Sequence, residues 1–193
     1  VTFFFFYRKI QPVFMGCIHL GRQTMLRFFC LVCGLLLTSY SFANSPLDDF
    51  LQKKLLQPVE SKTLWLNHAL KKRAETILDH PYQGLRVRYW QSGSRTAWVL
   101  DEIGKEQPIT TGIIVENGKI LSVDVLAYRE SRGAEVQQSF FTRQFQGISL
   151  TSNDKLSKKI DGITGATLSV WALQKVARLA LMFDAEKENL NKP

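Results

Sequence analysis

From Gly84 the period of the apolar positions changes to two, whereas ahead of it and near the end of the chain they fall at helical spacing. Leu85, Val87 and Tyr89 alternate with Arg86, Arg88 and Trp90, the pattern of a half-buried strand. Gly93 turns the chain, and Arg95 to Asp101 can return antiparallel. Ile113 to Glu116 and Lys119 to Val125 flank Asn117-Gly118, which favours a type I′ hairpin because both residues tolerate positive φ. Short connections throughout predict an antiparallel sheet of about four or more strands. Upstream, residues 44–80 read as helical. Ser45 and Pro46 suit a cap and a first turn, with Leu47, Phe50, Leu51 and Leu55 on one side until Pro58 interrupts. A second helix is expected from Ser61 to Leu78, burying Leu64, Leu66, Ala69, Leu70, Ala74 and Ile77. Downstream, Ser139 to Phe145 reads as a short helix and Gly147 to Ser152 as a loop or strand. Leu168 to Phe183 reads as a closing helix striped by Ala172, Val176, Leu179, Ala180 and Phe183. The class is α+β, with residues 44–83 as an N-terminal helical segment, 84–183 as the main domain and 184–193 as a polar tail.

Charge first points to nucleic acid, since the 193 residues carry a formal +8. Mapping it changes the picture. Arg8, Lys9, Arg22 and Arg27 lie in the first 43 residues, which hold no Asp or Glu, and the remainder has 21 basic against 17 acidic residues. No dense basic stripe with interleaved aromatics is left. Lys71-Lys72-Arg73 reads as the wet face of a helix, so a nucleic-acid partner is not expected. An apolar content of 45% excludes a disordered chain.

Residues 1–43 read as a targeting segment. From Met25, Arg27 precedes an apolar run from Phe28 to Leu37, and a small-residue region ends Ser41-Phe42-Ala43. That pattern predicts cleavage after Ala43. The alternative, an uncleaved anchor, would need an apolar run of roughly 20 residues. Residues 1–24 are expected to be upstream sequence, with Met25 as the true start. The expected location is therefore the periplasm or the outer face of the cytoplasmic membrane. Cys17, Cys30 and Cys33 all precede the cut, so the mature chain would contain no thiol. Redox chemistry would then need a cofactor of another kind.

The richest chemistry lies in Asp161 to Val170, DGITGATLSV, where the closing helix must begin. Thr167 can cap open backbone N–H groups, and Gly162 and Gly165 permit tight turns before it. A helix start equally favours a phosphate, because its unpaired N–H groups and dipole both face it. Spacing alone leaves both possibilities open. His68 and His80 have no acid at ligand spacing, so neither a metal site nor a catalytic acid–base pair is expected.

Asp161-Gly162-Ile163-Thr164-Gly165-Ala166-Thr167 resembles the flavinylation motif of the FMN-binding domain family. That family includes the flavin subunits of the sodium-translocating NADH–quinone reductase and of the Rnf complex. The resemblance implies FMN held at Thr167 by a phosphoester, installed from FAD by a flavin transferase with a magnesium ion. Asp161, Thr164, Gly165 and Ala166 would form the segment that the transferase reads. Glu130-Ser131-Arg132-Gly133 resembles the family's glutamate-plus-glycine loop beside the flavin, without the proline often found there. Phe140 to Gly147, FFTRQFQG, resembles its aromatic-Gln-Phe-x-Gly stretch. The resemblance covers roughly residues 84–183. It makes Glu130 and Ser131 candidates for FMN contacts, and Arg129 and Arg132 either partners of a reduced, anionic flavin or solvated loop charges.

The implied function is an exported electron carrier, rather than a self-contained enzyme, exchanging electrons with a membrane or periplasmic redox protein. Two alternatives are an accessory or sensory FMN-binding module and a flavin-free exported binding domain in which Thr167 is only a cap.

Overall fold

The structure is a computed structural model and describes residues 45–55 and 58–190. The expected targeting segment, its cleavage point and its three cysteines lie outside the described residues. Among the described residues no helix is long and apolar enough to cross a membrane.

Helix α1 (Pro46–Lys54) starts as the sequence predicts. Ser45 accepts a hydrogen bond from the Asp48 amide, while Asp48 reaches back to the Ser45 N–H, forming a reciprocal capping box. The second expected helix is shortened from its front. Glu60–Trp65 instead form strand β1, and helix α2 (His68–Leu78) begins only after Asn67, whose side chain caps the Leu70 amide. Leu64 and Leu66 are buried with Trp65 exposed between them, a period of two that a helical stripe would not give. Ala69, expected in the buried set, is exposed. β1 pairs antiparallel with β2 (Arg86–Ser92), so residues 60–66 belong to the sheet rather than to a helical segment ahead of it.

The remaining strands are β3 (Arg95–Ile103), β4 (Pro108–Glu116) and β5 (Lys119–Ala127), and β4 is buried without a break from Thr111 to Val115 because both of its faces are covered. All neighbours are antiparallel, in the order β1-β2-β3-β4-β5 of one five-stranded sheet. The β4–β5 turn has positive φ at both Asn117 (51°) and Gly118 (71°), as an Asn-Gly hairpin requires.

The short helix expected from Ser139 is α3 (Ser139–Thr142), continued by a tighter turn over Arg143–Phe145. Alternate residues of the sheet feed two apolar layers. Trp98, Leu100, Ile113 and Val115 join the main core beneath the final helix α4 (Thr167–Leu190), with all five expected stripe residues buried. Trp98 stacks on Tyr89 at 4.7 Å and meets Phe183 at 5.9 Å. Ala97 and Ile114 point the other way, where Phe50 and Leu55 cover them. The Phe50 ring lies so close to Gly112 that an added Cβ would fall 2.7 Å from it.

The polar tail is a second correction. α4 runs on to Leu190, and Asp184 and Lys187 within it are buried. Asp184 accepts from the Thr96 hydroxyl and faces the Lys187 ammonium at 2.7 Å, while Trp98 Nε1 donates to Thr96 at 3.0 Å. Buried charge is tolerated there because each carboxylate or ammonium has a partner. Arg73 likewise is no solvated face. It makes a bidentate contact with Asp154 (2.6 and 2.9 Å) and a bond to Glu186 (2.8 Å), which raises its already high pKa. His80, unpartnered by spacing, meets Glu102 across the fold at 3.1 Å.

Candidate functional site

The site is assembled where three loops reach the start of α4. Residues 161–166 form the first. Ala166 N–H donates to the Ile163 carbonyl at 3.0 Å, closing a turn whose third residue, Gly165, has φ of 83°. A positive φ at that place is what glycine supplies without strain. The Ala166 carbonyl then accepts the first helical bond, from Val170 at 3.0 Å. Ala166, not Thr167, therefore occupies the N-cap position, and its methyl cannot accept a hydrogen bond. Thr167 is the first helical residue. Its exposed hydroxyl makes no hydrogen bond to another described residue. The amides of Thr167, Leu168 and Ser169 are the open donors of a first turn. The plain capping role expected of Thr167 is thus not what the turn uses it for.

The second loop follows β5. Tyr128 OH donates to the Arg132 carbonyl and lies 3.0 Å from Ser169 Oγ, which pins residues 128–133 to the first turn of α4. Gly133, at φ 88°, passes so close that a Cβ would come within 2.9 Å of Tyr128 OH, 3.0 Å of Ser169 Oγ and 3.2 Å of the Ala166 methyl. Only a residue without a side chain fits.

The third loop joins β3 to β4. Glu130 Oε1 accepts the amides of Lys105, Glu106 and Gln107 at 2.6, 2.7 and 2.9 Å. These N–H groups, Gln107 foremost, favour the carboxylate and hold its pKa below the usual range. Glu130 is therefore spent on folding residues 104–107 around itself, and that loop brings Lys105 to the site. Sequence reasoning missed Lys105, because nothing in a lone surface lysine signals that a carboxylate 25 positions away will gather its loop. Arg129 turns away from α4, donating to the Pro108 carbonyl and Thr110 Oγ1 on β4.

Together the loops enclose a cleft of about 530 Å³ lined by Lys105, Glu130, Ser131, Arg132, Gly165, Ala166, Thr167, Leu168 and Ser169. Four expected cofactor residues (Glu130, Ser131, Gly165, Ala166) thus share one cleft with Thr167. Thr164 lies beside it, lining a smaller hollow with Ser131 and Gly165. Asp161 is not among the cleft's lining residues. Its amide donates to Gln144 Oε1 at 2.8 Å, which ties the FFTRQFQG stretch to the motif segment. Phe141 and Phe145 of that stretch are fully buried, so its aromatics are core.

A phosphate-bearing ring compound fits this arrangement. The volume lies within the few hundred to 1,000 Å³ usual for ligand clefts. Its donors are a helix start, a serine hydroxyl and a lysine, the set that suits a phosphate. Residues 104–182 match the model of a family described as FMN-binding domain. That match supports an FMN-binding domain, and with it flavin binding, over this segment. No curated protein matches the chain. The family match begins at the Glu130-held loop and ends in α4, so it spans all three site loops. It favours flavin binding over the flavin-free alternative.

Proposed function

We propose that the chain carries its FMN covalently, as a phosphoester of Thr167, and serves as an exported carrier of electrons to or from a membrane or periplasmic redox protein. The observation that carries this reading is the state of Thr167: exposed, first in its helix, without a hydrogen-bond partner among the described residues, and on the rim of the cleft. A threonine needed as a cap would have its oxygen occupied by an amide. Here the hydroxyl is open to an enzyme-delivered group.

In the attachment step, Thr167 Oγ1 bonds to the phosphorus of the FMN half of FAD. The pyrophosphate P–O bond breaks, AMP leaves with its electrons, and the hydroxyl proton passes to a base of the flavin transferase, with a magnesium ion assisting. The first-turn amides and Lys105 hold the phosphate and spread its charge. Glu130 keeps Lys105 in place, and Ser131 offers a hydroxyl opposite the helix. FMN supplies one- or two-electron chemistry when bound, and the protein sets its exposure and potential.

A covalent bond also answers the problem of export. A micromolar dissociation constant corresponds to about 8 kcal/mol, and a flavin held that way is lost on dilution. The apolar run before Ala43 supports export.

The test is the intact mass of the protein after co-expression with a flavin transferase, read under denaturing conditions. The expected result is a gain of one FMN less one water, with yellow colour that survives denaturation. An unmodified mass, alongside an active transferase on a control substrate, would refute covalent attachment.

A further inference from the structure

We infer that a second cleft, on the other side of Thr167, is the surface on which the flavin transferase seats, through acidic groups of that enzyme. The inference deepens the proposed attachment and rests on it. This cleft, of about 450 Å³, is lined by Lys155, Lys158, Lys159, Trp171 and Gln174 as well as Thr167, and no carboxylate lines it. Arg178, also on its wall, donates to the carbonyls of Asp154 and Ile77, which engages its N–H groups without neutralising its charge.

The lysines differ from the ion-paired cations of the fold. Arg73, Arg95, Lys175 and Lys187 each face a carboxylate. Lys155, Lys158 and Lys159 make no ion pair with a described residue. Three such cations fall within five positions, beside a tryptophan that is 55% exposed. Trp171 stands one helical turn after Thr167, and Leu168 next to the threonine is exposed as well. An exposed aromatic ringed by cations is the composition of an interface anchor with a steering rim.

Position selects the occupant. On the proposed reading the flavin takes the cleft of Glu130 and Ser131, which leaves the lysine side to an enzyme that reaches Thr167 Oγ1. The lysine loop is also held in shape before binding. Arg73 grips Asp154 with two bonds, Arg178 takes the Asp154 carbonyl, and Thr151 and Lys155 exchange hydrogen bonds. Docking there loses little loop entropy.

The experiment is steady-state flavinylation with purified transferase, FAD and magnesium, varying the concentration of this protein. Lys158→Glu/Lys159→Glu should raise KM for the protein about tenfold, leave kcat nearly unchanged and flatten the dependence on salt. Trp171→Ala should raise KM by a smaller factor. An unchanged KM in the double variant, or a rise found only in Lys105→Glu on the flavin side, would overturn the inference. Binding of transferase to the Thr167→Ala protein, measured by calorimetry, separates this from the attachment itself. Should the parent protein stay unmodified, attachment falls, and seating is then decided by that binding alone. Weaker binding when the two lysine reversals are added supports it, and equal binding refutes it.

Discussion

At its C-terminal end α4 is locked: Asp184 and Lys187 are buried against each other, with Thr96 and Trp98 of β3 completing the network. At its N-terminal end the same helix is open, with an alanine where a capping side chain would stand and an exposed threonine next to it. The contrast is one of polar bookkeeping. Where the helix has only to stay folded, Asp184, Glu186 and Lys187 are each matched. Where a ligand must be received, donors are left for the ligand to match. Fold and chemistry are thus held at opposite ends of one element, and each should break separately.

The largest expected effect comes from the open end. Thr167→Ala should abolish the FMN mass increment outright while changing unfolding free energy by no more than about 0.5 kcal/mol, as for an exposed residue outside a cap. Intact mass and a urea titration on the same sample check both halves. At the locked end the result should reverse. Asp184→Ala removes the carboxylate that Thr96 and Lys187 share and should cost about 3 kcal/mol in urea unfolding. Below its unfolding midpoint that variant should still acquire flavin at Thr167.

Gly133→Ala lies between the two. A positive φ and three contacts near 3 Å should cost about 1–3 kcal/mol and loosen the cleft together. Reduced stability with unaltered flavin spectra would show that the loop is merely structural.

The smallest effect is set by pH. Glu130 has a lowered pKa in the folded state, so its contribution is complete above the ordinary carboxylate value, near 4.3. It fades as pH falls through the lowered native value. Amide shifts of Lys105, Glu106 and Gln107 should hold steady down to that ordinary value and move together only below it. Glu130→Gln should reproduce the acid form at neutral pH.

The hairpins were legible because alternation and Asn117-Gly118 admit one solution. The closing helix was legible from its stripe. β1 was not, because Leu64 and Leu66 precede a true helix and its apolar positions can be continued backward through them. Only pairing with β2 decides otherwise, and pairing is non-local. The same holds for Asp184 and Lys187, which look solvated until Thr96, 88 positions away, is brought against them. Within the site, the threonine could be read, but Ala166 as the capping position could not. That depends on which carbonyl accepts from Val170. Lys105 became visible only through the carboxylate that folds its loop.

The contact of Phe50 with Gly112 has a mechanical consequence. The sheet is a partition: α1 is fastened to one face of it and α4 to the other. Tension entering at Ser45 would first lift an aromatic ring from a bare patch of backbone, on the face that α4 does not use. The Thr167 turn would feel that load only after it had crossed the strands. A pull on the front of the folded domain would thus act first at Phe50 and Gly112, on the face away from the Thr167 turn.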